Sequence, residues 1–428
     1  MEELITQFEL ENGLKVLMKE IHTAPIISHW LWYRVGSRFE KPGHTGISHW
    51  VEHMQFKGTP KFPAGLLDKA ISRDGGYWNA FTYLDWTTFF ETTPADKIEL
   101  AMALEADRMV NSVFDEKEVN SERTVVISER EGSENEPLFL LDEAVQSAAF
   151  EQHPYKNEVI GSTADLQSIT RDDLYAYYRD HYNPGNAVLA LAGDFNSKTM
   201  LEKIHQVYAG LPGHHVPEPD TPHEGGLTGE KNVEVKGPGE TTYLQIAWRA
   251  AAAADDDFYA FTIADSLLTG PTSLNMFGGG GISNKTSRLY RRLVEKEYAI
   301  SVNGSLQATH DPFLYTITIT VNPKHQPEEI LSLLDEELDA LRQAPVRREE
   351  IERAAKQARA LFAYGSENIT NQAFWLGYSE MFDKYSWFTQ YTTKLSAVTP
   401  EDLQSTIRRC LNREQRVVGI YRPDGARI

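Results

Sequence analysis

The chain of 428 residues is predicted to be an α+β protein built from two duplicated domains, each a mostly antiparallel sheet with packed helices. Three observations predict it. First, the sequence repeats itself: Leu166 to Leu174 lies on Leu395 to Leu403 at an offset of 395 − 166 = 229 residues, and both stretches read as a capping box, with Thr170 or Thr399 at the N-cap and an acid three residues on. The same offset carries Val188-Leu189-Ala190-Leu191 onto Val417-Val418-Gly419-Ile420, the apolar centre of a strand in each half. Capping boxes are common, so the weight lies in two pieces sharing one register. Second, strands come in hairpins and helices in runs, which separates α+β from alternating βα units. Third, Gly210 to Glu240 is dense in Gly, Pro and polar residues, the composition of a seam. The expected organisation is a domain over 1–212, a linker over 213–238 and a homologous domain over 239–428, the pair forming half of a clamshell.

The elements follow in order. Phe8 to Leu10 and Leu14 to Lys19 flank Glu11-Asn12-Gly13, a turn between two strands. A longer strand, Ile26 to Val35, ends at Gly36-Ser37. Gly43 to Gly46 leads into a helix containing His49-Trp50-Val51-Glu52-His53. Asn79 to Tyr83 and Thr87 to Thr92 alternate as strands before a helical run from Ala95 to Val113. Glu116 to Glu131 reads as a long amphipathic helix. In the second half the clearest strands are Tyr243 to Trp248 and Tyr315 to Val321.

Composition bounds the function. Hydrophobic residues at 41% and charged residues at 24% are those of a soluble globular protein, and no apolar run approaches the roughly 20 residues of a membrane span. The acidic start, Met1-Glu2-Glu3-Leu4-Ile5, is not a basic leader, so the chain as it stands is expected in the cytoplasm, or in the periplasm had a signal peptide been removed. A net charge of −20 argues against nucleic acid as a partner. Cys410 is the single cysteine, so no intrachain disulfide forms and a metal site must be built from His and carboxylates. Cys410 itself reads as a small core residue of a helix from Leu403 to Leu411. His214, His215 and His223 fall in the seam and read as polar linker residues rather than ligands.

The pentapeptide from His49 to His53 is the most informative stretch. It spells HxxEH, a zinc-peptidase helix written in inverted order. At 100° per residue, His49 and His53 stack on one helix face, the spacing one metal ion needs, and Glu52 sits at the edge of that face as a base. A solvated polar face would look similar, but this one lies in a mixed apolar stretch. Catalytic zinc takes three protein ligands, so a third must come from elsewhere. Glu122 and Glu129 stand seven apart on the helix from Glu116, two turns along one side, so that one could ligate and the other orient a ligating His. The residues alone do not choose among Glu122, Glu129, Glu131 and Glu134.

Val35-Gly36-Ser37-Arg38, Gly43-His44-Thr45-Gly46-Ile47-Ser48 running into HWVEH, and Met54-Gln55-Phe56-Lys57-Gly58-Thr59 together resemble the signature of the pitrilysin/insulysin family of inverted zinc metallopeptidases, closest to its processing-peptidase branch with half-length subunits. Gly75 to Thr82, with Asp85 after it, resembles the strand pair that follows there, and Glu122-Arg123-Thr124-Val125-Val126-Ile127-Ser128-Glu129 matches the family's ERxxVxxE segment. Asn183-Pro184-Gly185-Asn186 and the strand ending Ala192-Gly193-Asp194 close the first domain as in the family. The resemblance implies one Zn2+ per chain held by His49, His53 and Glu129, with Glu122 behind a ligand and Glu52 as the base.

It also implies a zinc metalloendopeptidase acting on peptides or unfolded segments, which would lie along the strand of Asn79, Ala80 and Phe81 if that strand is an exposed edge. The second half departs from the pattern. After Gly278-Gly279-Gly280-Gly281 the family carries an Arg and a Tyr that serve the oxyanion, and here Val294 and Ile300 fall in their places. Arg292 and Tyr298, six apart, are the candidate displaced pair. Heteromeric members place that pair on a partner, so this chain is expected to be the metal-bearing subunit of a heterodimer, with a homodimer as second choice. The rival reading is a non-catalytic structural subunit resembling the core proteins of a respiratory complex, which would have no reason to keep all four metal-site residues.

Overall fold

Each half of the chain folds its strands into one sheet, and the two sheets share a topology. The computed structural model describes residues 5–275 and 282–424, so the Gly278 to Gly281 loop lies outside the described residues. In chain order the first elements are β1 (Ile5–Glu9), β2 (Lys15–Glu20), β3 (Ile26–Tyr33), α1 (Ile47–Met54), α2 (Leu66–Arg73), β4 (Tyr77–Thr82), β5 (Thr87–Pro94), α3 (Ile98–Asn111), α4 (Glu116–Ser133), α5 (Pro137–Ala149), α6 (Thr163–Ser168), α7 (Arg171–His181), β6 (Ala187–Gly193) and α8 (Ser197–Tyr208). The rest are β7 (Lys231–Gly237), β8 (Tyr243–Arg249), α9 (Asp257–Leu268), β9 (Ala299–Leu306), β10 (Leu314–Val321), α10 (Pro327–Gln343), α11 (Arg348–Tyr364), α12 (Ile369–Ser379), α13 (Tyr385–Ala397), α14 (Pro400–Cys410) and β11 (Arg416–Pro423). The first sheet runs β1-β2-β6-β3-β5-β4 and the second β7-β11-β8-β10-β9. One pair in each is parallel, β2 with β6 and β7 with β11, and the others are antiparallel.

Strand for strand, β2, β6, β3, β5 and β4 therefore correspond to β7, β11, β8, β10 and β9. Both capping boxes form, at Thr170 opening α7 and at Thr399 opening α14, and each helix precedes the central strand that the repeat predicts. The fold is the expected α+β duplication.

Packing divides the chain differently from the contiguous boundaries 1–212 and 239–428. One compact unit gathers the described chain up to Arg130 with residues 157–221 and 367–388; the second gathers 131–156, 222–366 and the chain from Thr389 on. Two helices have changed sides. α5, from the first half, packs on β11, β7 and β8, and α12, from the second half, packs on β3, β6 and β2. Glycine makes both approaches close: a Cβ on Gly377 of α12 would lie 2.1 Å from Trp32 Nε1, and one on Gly419 of β11 would lie 2.4 Å from Val145 of α5. α12 covers a face of the first sheet where Trp30 stacks on Phe90 at 3.9 Å and meets Phe374 edge-on at 5.4 Å. The opposite face, with Leu31, Tyr33 and Phe89, shares its core with Trp50 and Met54 of α1 and Met102 and Met109 of α3. A second difference lies in the seam: Lys231–Gly237 within 213–238 is the edge strand β7, whose positions alternate half-buried and exposed. Only one face of it carries apolar residues, so its composition reads as polar connector. Cys410 is half-buried at the end of α14, and burial raises its thiol pKa.

Candidate metal centre

α1 is a helix because Ile47, Trp50, Val51 and Met54 give it one buried face. Its N-cap, Gly46, sits at φ 87° with no side chain to cap the first turn. The buried Glu40 does so instead, accepting from the Gly46 and Ser48 N–H groups at 2.9 and 3.0 Å. Burial nonetheless pushes the Glu40 carboxyl up to about 7. His49 and His53 lie side by side away from the buried face, their ring centroids 4.5 Å apart.

Three donor atoms converge there. His49 Nε2 and His53 Nε2 are 3.2 Å apart, and Glu129 Oε2 of α4 lies 4.0 and 3.7 Å from them. A tetrahedral zinc with bonds of roughly 2.0–2.1 Å holds its ligand atoms about 3.4 Å apart, so the triangle and its two-nitrogen, one-oxygen chemistry fit that ion. Among the described residues, His49, His53 and Glu129 form the one group of three or more such side chains that could hold a metal; Glu131 and Glu134 are not in it. Burial, then the neighbouring His53, lowers the His49 pKa to about 3, leaving the neutral imidazole a metal requires. Glu122, one turn pair before Glu129, is buried and stands 2.9 Å from His53 Nδ1, with Lys57 as its ion-pair partner. That contact holds the ring with Nε2 turned to the Glu129 carboxylate. His49 Nδ1 is buried without a hydrogen-bond partner among the described residues.

Glu52 is 6% exposed and accepts a hydrogen bond from Thr82 Oγ1 at 2.7 Å. Burial raises its carboxyl to about 7, against the lowering by Thr82 and His53. Thr82 ends β4, the free edge of the first sheet. Tyr83 N–H donates to Trp86 O, so in the alternating ladder Phe81, Asn79 and Tyr77 face β5 with their backbone polar groups while Thr82, Ala80 and Trp78 turn theirs outward. Asn79 is exposed, and its Oδ1 accepts from the Ala80 N–H at 2.9 Å, one of those outward groups. Beside this strand Phe56, Phe62, Trp78 and Leu104 line a cavity of about 210 Å³. Sequence reasoning passed over Thr82 and Lys57. Lys57 carried a signal, four residues after His53, whereas Thr82 meets Glu52 only through the pairing of β4 with α1.

The second unit holds Arg292 and Tyr298, and both line one open cleft. Arg292 is committed to Glu336 and to Glu337 at 3.7 Å, and the Tyr298 ring lies 4.6 Å from that of His325. Val294 ends a π-helical turn from Tyr290, and Ile300 is 58% exposed on β9. His214 bonds the Asp180 carbonyl at 2.9 Å in the first unit. No helix among the described residues is long and apolar enough to cross a membrane.

The chain is similar to known proteins along most of its length. The family model described as Insulinase (Peptidase family M16) matches residues 15–163, and that described as Peptidase M16 inactive domain matches residues 168–358. An uncharacterized zinc protease of Streptomyces coelicolor is 26% identical over 415 residues, covering 94% of this chain and 86% of its own. The probable mitochondrial-processing peptidase subunit beta of Arabidopsis thaliana is 27% identical over 299 residues, 68% of this chain and 55% of its own. The crystal structure of a protease from Helicobacter pylori superposes with a TM-score of 0.89 at 24% identity, covering 98% of this chain and 100% of that one.

Proposed function

Since the chain belongs to peptidase family M16, we propose that it is the metal-bearing catalytic subunit of a zinc metalloendopeptidase that hydrolyses peptides or unfolded segments. The observation that carries this reading is the convergence of His49, His53 and Glu129, with Glu52 near enough to feel the charges of His53 and Glu129. His49 Nε2, His53 Nε2 and Glu129 Oε2 would hold one Zn2+. When bound, zinc supplies a Lewis acid that polarises a peptide carbonyl and acidifies water. Glu52, buried beside the centre, would be the group that takes a proton, and Thr82 engages its Oε2, leaving Oε1 to receive it. The same oxygen can return the proton to the departing amine. Glu122 keeps His53 oriented.

An extended peptide would add to β4 as an antiparallel neighbour, using the outward groups of Trp78, Ala80 and Thr82. Asn79 occupies the Ala80 N–H and would swing aside to meet the peptide's own backbone. The small apolar cavity beside Trp78 would take a hydrophobic side chain.

With Val294 and Ile300 where cationic and phenolic donors are needed, and Arg292 committed to carboxylates, the oxyanion donors would come from a homologous partner subunit; a second copy of this chain carries the same residues and would supply them only if Arg292 left its carboxylates. A missing donor of this kind commonly costs roughly 3 kcal/mol of transition-state stabilisation. The test is zinc content and hydrolysis of an unstructured peptide by this chain, alone and mixed with a homologous subunit. One zinc per chain, little turnover alone and strong turnover in the mixture is expected. Equal turnover alone and mixed would remove the heterodimer, and a chain with neither zinc nor turnover in any mixture would be a structural subunit.

A further inference from the structure

We infer that residues 160–169 brace the metal centre, and that Arg123 and Arg130 are positioning residues that set Glu129 against the two histidines through that brace. The inference rests on the zinc-peptidase reading. Each acid of α4 that faces the centre is followed at once by an arginine: Glu122 by Arg123, Glu129 by Arg130. Both arginines reach the same neighbouring segment. Arg123 donates to the carbonyl oxygens of Leu166 and Ile169, the latter at 2.9 Å, satisfying acceptors left open where α6 ends. Its guanidinium also lies over the Trp50 ring of α1 at 4.7 Å, one residue from His49. Arg130, buried, donates to Gly161 O at 3.0 Å.

α1 is fixed to that same segment. A Cβ on Gly161 would lie 2.3 Å from Thr45 O, and one on Gly46 would lie 2.5 Å from Ile160 O, so backbone meets backbone where α1 begins. Thr45 Oγ1 donates to Asp165 Oδ2 at 2.6 Å and accepts from Ser162 N–H at 3.0 Å. The start of α1 and two points on α4 are thus bolted to one short stretch of chain, which fixes how far along its axis α4 presents Glu129. The duplicated half supplies the control. α11 begins 348 − 116 = 232 residues after α4, and at that offset Glu122-Arg123 becomes Ala354-Ala355 and Glu129-Arg130 becomes Leu361-Phe362. Acids and arginines are absent together, as expected if the arginines serve the acids and not the fold.

The experiment measures zinc affinity by chelator competition in the full chain for Arg123→Ala, Arg130→Ala and Arg130→Lys, each made in the unaltered background and in Glu129→Gln. Thermal unfolding of the zinc-stripped proteins is followed in parallel. The expected result is a loss of about 10-fold for each alanine variant, the size seen when a residue supporting a ligand is removed, less than about 2-fold further loss in the Glu129→Gln background, and partial recovery with lysine at 130. Equal losses in both backgrounds, or an unchanged affinity in the unaltered one, would overturn the inference while leaving the zinc site standing. A chain that binds no zinc at all removes the proposed function and the inference together.

Discussion

Two helix pairs stand beside sheets of the same strand order, and they close in opposite ways. In the second unit every residue of α9 from Phe258 to Leu268 is buried, and it packs directly on α11, where Ser266 Oγ donates to Ala354 O at 3.0 Å. Ala354 and Leu361 of α11 are 2% and 3% exposed. In the first unit α1 and α4 meet through charged and aromatic side chains: His53 with Glu122, Trp50 under Arg123, Glu129 facing both histidines. Among the described residues, the second unit therefore closes this helix pair without a histidine–carboxylate cluster between its members. The first unit gives up apolar contact at this seam for groups whose burial is costly unless they are partnered, and a bound cation would be one of those partners.

The sharpest way to separate the two pairs is Glu52→Gln. Turnover should fall by about 10³-fold with zinc content unchanged by elemental analysis, while nothing changed in α9 should do so without unfolding the protein. Exchanging the residues at corresponding positions comes next. Leu361→Glu places a carboxylate where no partner waits, and chemical denaturation should show a loss of about 3 kcal/mol or more. Glu129→Leu, at a side chain that is 48% exposed, should abolish tight zinc binding yet leave the zinc-stripped protein nearly as stable as before. If Leu361→Glu is tolerated, the second unit is not closed by apolar packing and the contrast fails.

Smaller effects should sharpen it. Glu122→Gln should weaken zinc by about 10- to 100-fold in the same chelator competition. Both units bury acids, and one in the second is Asp265, which accepts from Thr269 Oγ1 at 2.6 Å and Tyr315 OH at 3.0 Å. Burial raises it from an ordinary 3.8 to about 6. Between those two values the folded chain keeps a proton that the unfolded chain has released, so this acid's contribution is full below about pH 4 and is lost as pH rises through about 6. Asp265→Asn should flatten that decline by on the order of 1 kcal/mol per pH unit, measured as denaturation midpoints across pH 4 to 7.

Much of this was legible in the sequence because it is written in local periods. The HxxEH spacing needs only the helical repeat, and the capping boxes at Thr170 and Thr399 need only four residues each. The choice between Glu122 and Glu129 was not legible from periodicity, since seven residues apart they share a helix face; in the fold Glu122 is buried against His53 Nδ1 and Glu129 lies near both Nε2 atoms. Strand β7 was hidden by its edge position, where charged residues alternate with valines. The exchange of α5 and α12 left no local trace, because an apolar helix does not encode which sheet will receive it.

That exchange sets the order in which the protein can be finished. A chain emerging from its N-terminus could assemble β1 to β6 and all five residues of the motif early, yet Trp30, Trp32 and Phe90 would stay uncovered until Ile369–Ser379 had been made. Large apolar surface left open during synthesis invites association with other chains. The half with the candidate metal centre thus cannot be completed ahead of the other, and a chain interrupted between Gly193 and Ile369 would carry His49, His53 and Glu129 on a sheet lacking one of its covers.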